Sequence, residues 1–514
     1  MSDASADFIV IGSGPAGVSA AFPLVEAGHH VLMIDGGDDR IASTDSSWRR
    51  MLGDDLESLK RDDGLTPKWR TPEARRTMGA FDQLGGLDHD DFLAAGALAR
   101  GGLSRIWGAF VSELDDDDLH GWPITAEELR PSYAAVVDRI GVSGAPDDDM
   151  APFYGRSGAL LAPPPLGPTA AMILARYHAA RPDPDFALGL ARNALITADR
   201  GARAACDLRL ACLWGCERGA IYDSRQDVAL LRQHANFELR DRTTALRLVR
   251  HDGGWEVATA SNDLLHVARL IVAAGTLGSL RLVAPLIDPA PATLPLLNSP
   301  VMVMPLLVPR RLGGALPTQG HSLAQLGFRL TCSPAPGDQV SGAVYEVAGL
   351  PPSSFAARMP FGRRAATEIF GALAPALAVA TIYFPGRYSA NKVALQDAPG
   401  GARIHIHGGV ADGFGMVART VRRRLAKIWR RLGAFPLPGA ALATAGTDAH
   451  LGGVFPMGAA QPHGTSRFGE LNAAPGLHVV DGAVLPGIPS KFTTLTVMAN
   501  ADRIGRHLAG LADG

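Results

Sequence analysis

A glycine-rich turn near the N-terminus has the residue types and spacing of a dinucleotide-binding site. Gly12, Gly14 and Gly17 follow the apolar run at 7–11 and open the small and apolar stretch at 18–27. The first glycine permits a tight turn, the second lets the backbone approach a pyrophosphate, and the third lets helix and strand pack closely. The free amides and positive dipole at the start of the following helix bind phosphate. The pattern therefore predicts a strand, a phosphate-binding turn and a helix.

An acidic residue completes this unit. Residues 31–34 are typical of a second buried strand, and Asp35 follows it directly. A carboxylate at this position can accept hydrogen bonds from both ribose hydroxyls. We therefore expect the unit to bind a dinucleotide, with Pro15 and Ala16 forming part of its turn. The motif alone does not choose between FAD and NAD.

A second turn of this kind follows the strand-like run at 268–273. It reads AAGTLGS at 273–279, with Ala274 and Gly275 at the bend. Taken alone, it could be an ordinary turn from a strand to a helix. Two such turns this far apart resemble the split FAD-binding domain of flavoprotein oxidoreductases, in which distant segments return to one sheet.

The C-terminal region carries a histidine in a glycine-rich segment. Residues 448–458 read DAHLGGVFPMG, residues 476–486 read GLHVVDGAVLP, and residues 493–501 read TTLTVMANA. With the N-terminal glycines, these segments resemble the glucose-methanol-choline (GMC) oxidoreductases, which are FAD-dependent alcohol and sugar oxidoreductases. The resemblance covers both ends of the chain and several internal segments, whereas residues 36–90 and 295–440 match only in general order.

The resemblance also implies which residues hold the cofactor. The segment RGGLSRIWG at 100–108 is similar to the one that passes over the flavin pyrophosphate and ring in this family. The residues implied to contact FAD are Arg100, Gly101, Gly102, Ser104, Trp107, Gly108, Asp481, Gly482, Thr493 and Thr494. Pyranose-oxidase-like members carry a histidine just before the tryptophan and bind FAD covalently through it. Ile106 stands at that position here, so noncovalent FAD is expected.

Two side chains face flavin N5 in this family, and only one of them has its counterpart here. His450 matches the histidine that removes the hydroxyl proton as hydride leaves carbon, and a neutral imidazole is a suitable base near pH 7. The alternative is that His450 merely caps a loop. The second position, a histidine or asparagine in the family, falls on Phe492, whose ring cannot hydrogen-bond a hydroxyl. His463 in a nearby loop, or Lys491, is the candidate to replace it.

Two further groups could bind a metal. His405 and His407 alternate in a strand and so share one face, but the sequence shows no other ligand beside them. Cys206, Cys212 and Cys216 lie within eleven residues, yet their spacing fits none of the usual zinc or iron–sulfur loops. Packing or turn geometry is the favoured role for the cysteines, with thiol chemistry as an alternative. The sequence therefore predicts no metal.

Composition excludes several classes of protein. The 514 residues include 49 Lys and Arg against 51 Asp and Glu, a net charge of −2, which argues against nucleic-acid binding. Four cysteines cannot form a disulfide framework in a chain of this length. No apolar run reaches the ~20 residues that a membrane span needs, and no basic region precedes the first apolar run, as a secretory signal would require. We expect a cytoplasmic protein.

These patterns predict an α/β protein with two domains. A Rossmann-like FAD-binding domain combines a parallel sheet with an antiparallel ribbon at 237–274, and an α+β substrate domain is built on an antiparallel sheet. The predicted FAD-binding segments are 1–45, 200–290 and 442–514. Residues 46–199 are expected to cover the flavin and connect the segments, and residues 291–441 to bind substrate.

The predicted function is FAD-dependent oxidation of an alcohol or sugar-like hydroxyl by hydride transfer to flavin N5. The partners are a small hydroxyl substrate and an electron acceptor, oxygen or a quinone-like molecule. The sequence leaves two alternatives: a redox-neutral lyase or isomerase of the same fold, or a flavoprotein without turnover.

Overall fold

The computed structural model describes residues 6–39, 69, 71–180, 183–289, 291–348, 359–398 and 401–511. The predicted boundary at residue 45 lies outside these residues. Among them, no helix combines the length and the apolar character needed to cross a membrane.

The strands and helices alternate along most of the chain. The strands are β1 Phe8–Ile11, β2 Val31–Ile34, β3 Leu87–Asp90, β4 Val142–Ser143, β5 Leu160–Leu161, β6 Phe186–Leu190, β7 Phe237–Arg240, β8 Ala245–His251, β9 Gly254–Thr259, β10 Leu264–Val267, β11 Arg269–Val272, β12 Thr293–Leu296, β13 Val301–Leu307, β14 Leu326–Thr331, β15 Gln339–Glu346, β16 Leu377–Tyr383, β17 Asn391–Ala398, β18 Gly401–His407, β19 Phe435–Pro436, β20 Ala441–Leu442 and β21 Leu477–Val479. The α-helices are α1 Pro15–Glu26, α2 Pro72–Asp82, α3 Ala126–Ile140, α4 Ala151–Tyr154, α5 Pro168–Ala180, α6 Arg225–Leu231, α7 Thr276–Val283, α8 Arg363–Leu373, α9 Phe414–Arg431 and α10 Thr494–Leu508.

A parallel sheet brings together the segments that carry the predicted cofactor motifs. Its strand order is β21-β11-β1-β2-β7, and each neighbouring pair runs parallel. Strands β1 and β2 are apolar and buried throughout, as parallel strands covered by helices are, whereas the edge strand β7 carries Glu238 and Arg240 and is partly exposed. Strands β8, β9 and β10 form the antiparallel ribbon that precedes β11. The predicted Rossmann-like sheet with its ribbon is confirmed, but the ribbon begins later than predicted, because residues 237–240 form the edge strand β7 of the parallel sheet.

An antiparallel sheet forms the second layer of the molecule. Its order is β19-β13-β16-β15-β14-β6, with β20 also paired to β13, and its pairings are antiparallel. One face packs against α5 and α9 in a hydrophobic core. Because side chains alternate between faces along a strand, the other residues of β13, β15 and β16 face the opposite side. The predicted α/β class with a second, antiparallel sheet is confirmed.

From the sequence, residues 46–199 are expected only to cover the flavin and to connect the other segments, but their described part also supplies strands to the sheets. β6 is the edge strand of the antiparallel sheet beside β14, and β3 runs parallel to β18 in a separate sheet of order β12-β17-β18-β3. These pairings join residues far apart in sequence, which local patterns do not reveal.

Candidate active site

A cavity of about 1280 Å³ lies where the carboxyl ends of the parallel strands face the antiparallel sheet. Turns that follow β1, β2, β11 and β21 line one side, and residues of β13, β15 and β16 line the other. The carboxyl ends of parallel strands are where such sheets bind ligands. The sequence-predicted residues that line it are Gly12, Gly14, Pro15, Ala16, Asp35, Gly102, Ser104, Trp107, Gly108, Ala274, Gly275, Asp481, Gly482, Thr493, Thr494, His450 and Phe492.

The three N-terminal glycines differ in what requires them. A Cβ on Gly12 would lie 2.4 Å from the carbonyl oxygen of Ala273, and one on Gly17 would lie 1.9 Å from that of Gly12. Both are therefore needed for the packing of strand and helix. A Cβ on Gly14 would meet no atom within 4 Å, although Gly14 lines the cavity at the start of α1. The protein keeps open space there, as a phosphate cradle requires.

Asp35 lies at the end of β2 with its carboxylate held in place. It accepts hydrogen bonds from the Ser13 amide at 2.9 Å, the Ser13 hydroxyl at 2.6 Å and the Gly37 amide at 2.8 Å. Its side chain is buried apart from its contact with the cavity. These bonds fix an acceptor at the position expected for a ribose-binding acid.

The segment at 100–108 crosses directly over the first turn. A Cβ on Gly102 would lie 3.4 Å from the Cα of Gly14, and the Gly101 amide donates to the Ser13 hydroxyl at 3.0 Å. The Ser104 hydroxyl donates to the Gly101 carbonyl at 2.6 Å. Trp107 is held by its indole N–H, which donates to the Tyr222 carbonyl at 2.7 Å.

Three predicted or discussed residues of this segment do not line the cavity, namely Arg100, Gly101 and Ile106. Arg100 forms ion pairs with Asp39 and Asp241, and neither it nor Gly101 lines the cavity. Ile106, at the position of the family's covalent histidine, packs in a small apolar cluster that includes Trp69.

The second turn and the C-terminal acid meet in the wall of the cavity. Gly275 heads α7 with φ of +75°, and Asp481 accepts a hydrogen bond from the Ser279 hydroxyl at 2.5 Å. Burial raises the pKa of Asp481 to about 6. A Cβ on Gly482 would lie 2.5 Å from the carbonyl oxygen of Leu451, so glycine allows the segment after β21 to approach the one that carries His450.

His450 faces the cavity together with an aromatic wall. The imidazole and the Phe492 ring meet edge to face, with centroids 5.7 Å apart. The Phe492 ring also packs against the ring of Phe110, with 4.1 Å between the two centroids. The other two candidates are not in the cavity lining. His463 lies outside it, and Lys491 is buried in ion pairs with Asp115 at 2.8 Å and Asp118 at 2.6 Å.

Sequence reasoning missed a tyrosine beside His450. Tyr383, at the end of β16, has its ring centroid 5.4 Å from the imidazole and 5.0 Å from the Phe492 ring. Removal from bulk water raises the pKa of Tyr383 to about 12. The phenol therefore keeps its proton near neutral pH. The alternation of Thr381 and Tyr383 in an otherwise apolar strand was the available signal.

A carboxyl group next to His450 was also missed. Asp448 lines the cavity and accepts hydrogen bonds from the Asn298 amide nitrogen and the Ser299 backbone, each at 2.9 Å, and from the His450 amide at 3.2 Å. Loss of hydration raises the pKa of Asp448 to about 7. Asp448 therefore ties the segment that carries His450 to the residues that immediately precede β13 of the antiparallel sheet.

The cysteines do not converge on a metal site. Cys206, Cys212 and Cys216 are partly buried free thiols, and removal from water raises the pKa of Cys212 to about 11. The Ser322 amide donates to the Cys212 sulfur at 3.3 Å. Over the described part of the chain, the group of residues arranged to hold a metal is a different one, Asp90 with His405 and His407.

Two known proteins are similar in sequence to about half of this chain. Paromamine 6'-oxidase of Streptomyces fradiae is 33% identical over 250 residues, which cover 47% of this chain and 41% of that protein. The 6'''-hydroxyparomomycin C oxidase of Streptomyces lividus is 31% identical over 268 residues, which cover 49% of this chain and 43% of that protein. The match thus spans less than half the length of either relative.

A solved structure shares the whole architecture. The crystal structure of pyridoxine 4-oxidase from Mesorbium loti superposes with a TM-score of 0.60 at 14% identity, covering 99% of this chain and 100% of the other. Residues 409–501 match the family model described as GMC oxidoreductase, C-terminal. Over these residues, the resemblance to GMC oxidoreductases predicted from the sequence is confirmed.

Proposed function

We propose that this protein is an FAD-dependent oxidoreductase that oxidises a hydroxyl group of a small molecule, with His450 as general base. The observation that carries the proposal is that one cavity holds both the dinucleotide-type turns and His450. The relatives are named as oxidases, which supports the same class of reaction here.

The residues of the cavity fit FAD. The open side of Gly14 and the start of α1 would hold the pyrophosphate, and Asp35 would accept from the ribose hydroxyls. The start of α7 and the Asp481–Gly482 turn would complete the site. Ile106 offers no atom for a covalent bond, so we propose noncovalent binding. When bound, FAD supplies the hydride acceptor.

His450 and Tyr383, which lie opposite the nucleotide-type turns, would each interact with the substrate hydroxyl in a different way. His450 would take its proton, and Tyr383 would hold its oxygen, because a phenol hydroxyl both donates and accepts hydrogen bonds. The ring of Tyr383 lies 5.4 Å from the imidazole. Tyr383 would thus supply the polar partner that Phe492 cannot.

The walls of the cavity indicate what kind of molecule carries the hydroxyl. On the antiparallel sheet, the lining includes Val301, Val303 and Pro305 of β13 and Leu377 and Val379 of β16. The charged side chains that line the described part of the cavity are Asp35, Arg281, Asp448 and Asp481. Asp35, Arg281 and Asp481 follow or lie beside the nucleotide-type turns, which leaves Asp448 as the charged side chain of this set on the substrate side. The substrate side is therefore largely apolar. We propose a neutral alcohol whose hydroxyl is attached to an apolar or aromatic body.

The remaining sequence predictions stay proposals. We propose that segments 200–290 and 442–514, with the N-terminal residues to 45, form the FAD-binding unit, and that 291–441 with β6 forms the substrate unit. The acceptor is proposed to be oxygen or a quinone-like molecule, and the location cytoplasmic.

Anaerobic mixing of the yellow protein with candidate alcohols tests the proposal. Bleaching of the flavin absorbance on mixing is the expected result. Turnover of a substrate without bleaching would instead indicate the redox-neutral lyase or isomerase. A flavin that no alcohol reduces or perturbs would favour a protein without turnover.

A further inference from the structure

Two histidines and an aspartate converge on the surface of the four-stranded sheet. The Nε2 atom of His405 lies 2.8 Å from Oδ2 of Asp90, and Nδ1 of His407 lies 3.6 Å from the same oxygen. One ligand atom from each residue lies within 4.8 Å of the others. The two imidazole rings are 4.2 Å apart between centroids.

The sheet itself creates this cluster. His405 and His407 share a face of β18 because side chains two apart point the same way, while Ile404 and Ile406 face the core and are fully buried. β3 runs parallel to β18 with Asp90 opposite His407. The third group therefore comes from 315 residues away, which is why the sequence showed two ligands only.

Among the described residues, Asp90 forms its ion pairs with the two histidines, and Lys392 of β17 lies opposite His407. Asp88, on the same face of β3, forms an ion pair with Arg403 at 2.7 Å, so its charge is already compensated. The side chains of His407 and Asp90 are 55% and 66% exposed. An ion has open access from solvent, and water can fill its remaining coordination positions.

We propose that Asp90, His405 and His407 bind a divalent transition-metal ion such as Zn²⁺. Two imidazole nitrogens and one carboxylate oxygen are a donor set that Zn²⁺ accepts, with water as the fourth ligand. Imidazole nitrogens select such ions over Mg²⁺ and Ca²⁺, which prefer oxygen. The site lies outside the described cavity lining and outside residues 409–501, so it is independent of the proposed oxidation.

Equilibrium dialysis of the flavin-containing protein against ZnCl₂, after removal of metals with EDTA, tests the site. One equivalent of Zn²⁺ is expected per chain. His405→Ala and His407→Ala should each weaken binding by at least about tenfold, because even a residue that only supports a metal ligand contributes that much. The absorption of Co²⁺ in place of Zn²⁺ should show the visible bands of a low-coordinate ion and lose them in both variants.

Two controls make the result specific. His89→Ala changes an exposed histidine of β3 that alternates with Asp90 and so lies on the other face. It should bind Zn²⁺ like the parent, as should a variant with Cys206, Cys212 and Cys216 all changed to Ser. Failure of the parent to bind Zn²⁺, or undiminished binding by both His405→Ala and His407→Ala, would overturn the proposal. Thermal unfolding confirms that each variant is folded.

Discussion

The ring of Phe492 contacts the imidazole of His450 edge to face, with the ring planes at 84°. Phe492 is itself held by Phe110 and Tyr383 on its other sides. A phenyl ring cannot accept or donate a conventional hydrogen bond, so it orients the imidazole by contact alone. Under the proposed function, His450 and Tyr383 would therefore supply the hydrogen bonds to the substrate hydroxyl.

Replacing His450 should separate catalysis from cofactor binding. His450→Ala is expected to slow flavin reduction by a factor of roughly 10² to 10⁴, the usual contribution of a general base. The flavin content should not change, because His450 is not part of the nucleotide-type turns. Stopped-flow reduction under anaerobic conditions measures the rate, and His463→Ala is the control that should leave it unaltered. Full-rate reduction in His450→Ala would exclude the base assignment.

Tyr383→Phe tests the second polar group. We expect kcat/KM per bound flavin to fall about 3- to 10-fold, as loss of one neutral hydrogen bond predicts. Tyr388→Phe, also a partly buried tyrosine but outside the cavity lining, should have no such effect. Adding Phe492→Asn to Tyr383→Phe should restore part of the loss by returning a polar group to the site. An unchanged kcat/KM in Tyr383→Phe would assign that tyrosine to packing.

The glycines of the first turn should respond differently to alanine. Gly14→Ala places a methyl group in the open space that the FAD pyrophosphate would occupy, so it should weaken FAD binding by about tenfold, or about 1.4 kcal/mol. Excess FAD should therefore restore the melting temperature. Gly17→Ala drives a methyl group against the Gly12 carbonyl at 1.9 Å. It should lower the free energy of unfolding by about 1–3 kcal/mol, and excess FAD should not restore it. Equal behaviour of the two variants would contradict this division.

Asp448 should make stability depend on pH. Its pKa in the folded protein is about 7, above the ordinary value of 3.8, so the folded state retains a proton that the unfolded state has lost. Its contribution to the free energy of unfolding is therefore greatest at low pH and falls as pH rises from about 4 to about 7, by at most about 4 kcal/mol. Asp448→Asn, which cannot ionise, should remove this fall.

Urea denaturation across that pH range, compared between the parent and Asp448→Asn, isolates the effect. Asp118 and Asp481, whose pKa values burial raises to about 6, give slopes of the same sign in both proteins and cancel in the difference. Parallel curves for the two proteins would mean that Asp448 ionises normally in the fold.

The substrate wall predicts a preference among alcohols. Primary alcohols on an aromatic or aliphatic body should have higher kcat/KM than polyols of similar size, with each added buried methylene worth about 0.8 kcal/mol, or about fourfold. Val303→Thr, which replaces a wall methyl with a hydroxyl at nearly constant volume, should reduce that preference. A stronger preference for polyols in the parent would refute the apolar-substrate proposal.

The sequence by itself determined the features whose physical demands are local. Gly12, Gly14 and Gly17 predicted a strand, a turn and a helix because each glycine serves a backbone requirement within that one unit. Asp35 and His450 could be placed for a similar reason, since each lies a fixed distance from a recognisable strand or glycine segment. Strand-like runs in the middle of the chain likewise predicted the antiparallel sheet.

Only the tertiary structure decided which distant side chains meet. Tyr383 lies beside His450 because β16 ends against the segment that follows the antiparallel layer, and Asp90 reaches His405 because β3 pairs with β18. Such neighbours depend on which strands pair and in what register, and pairing is selected by burial over the whole sheet. Single strands carry no record of their partners, so the group opposite His450 and the third metal ligand became visible only in the folded protein.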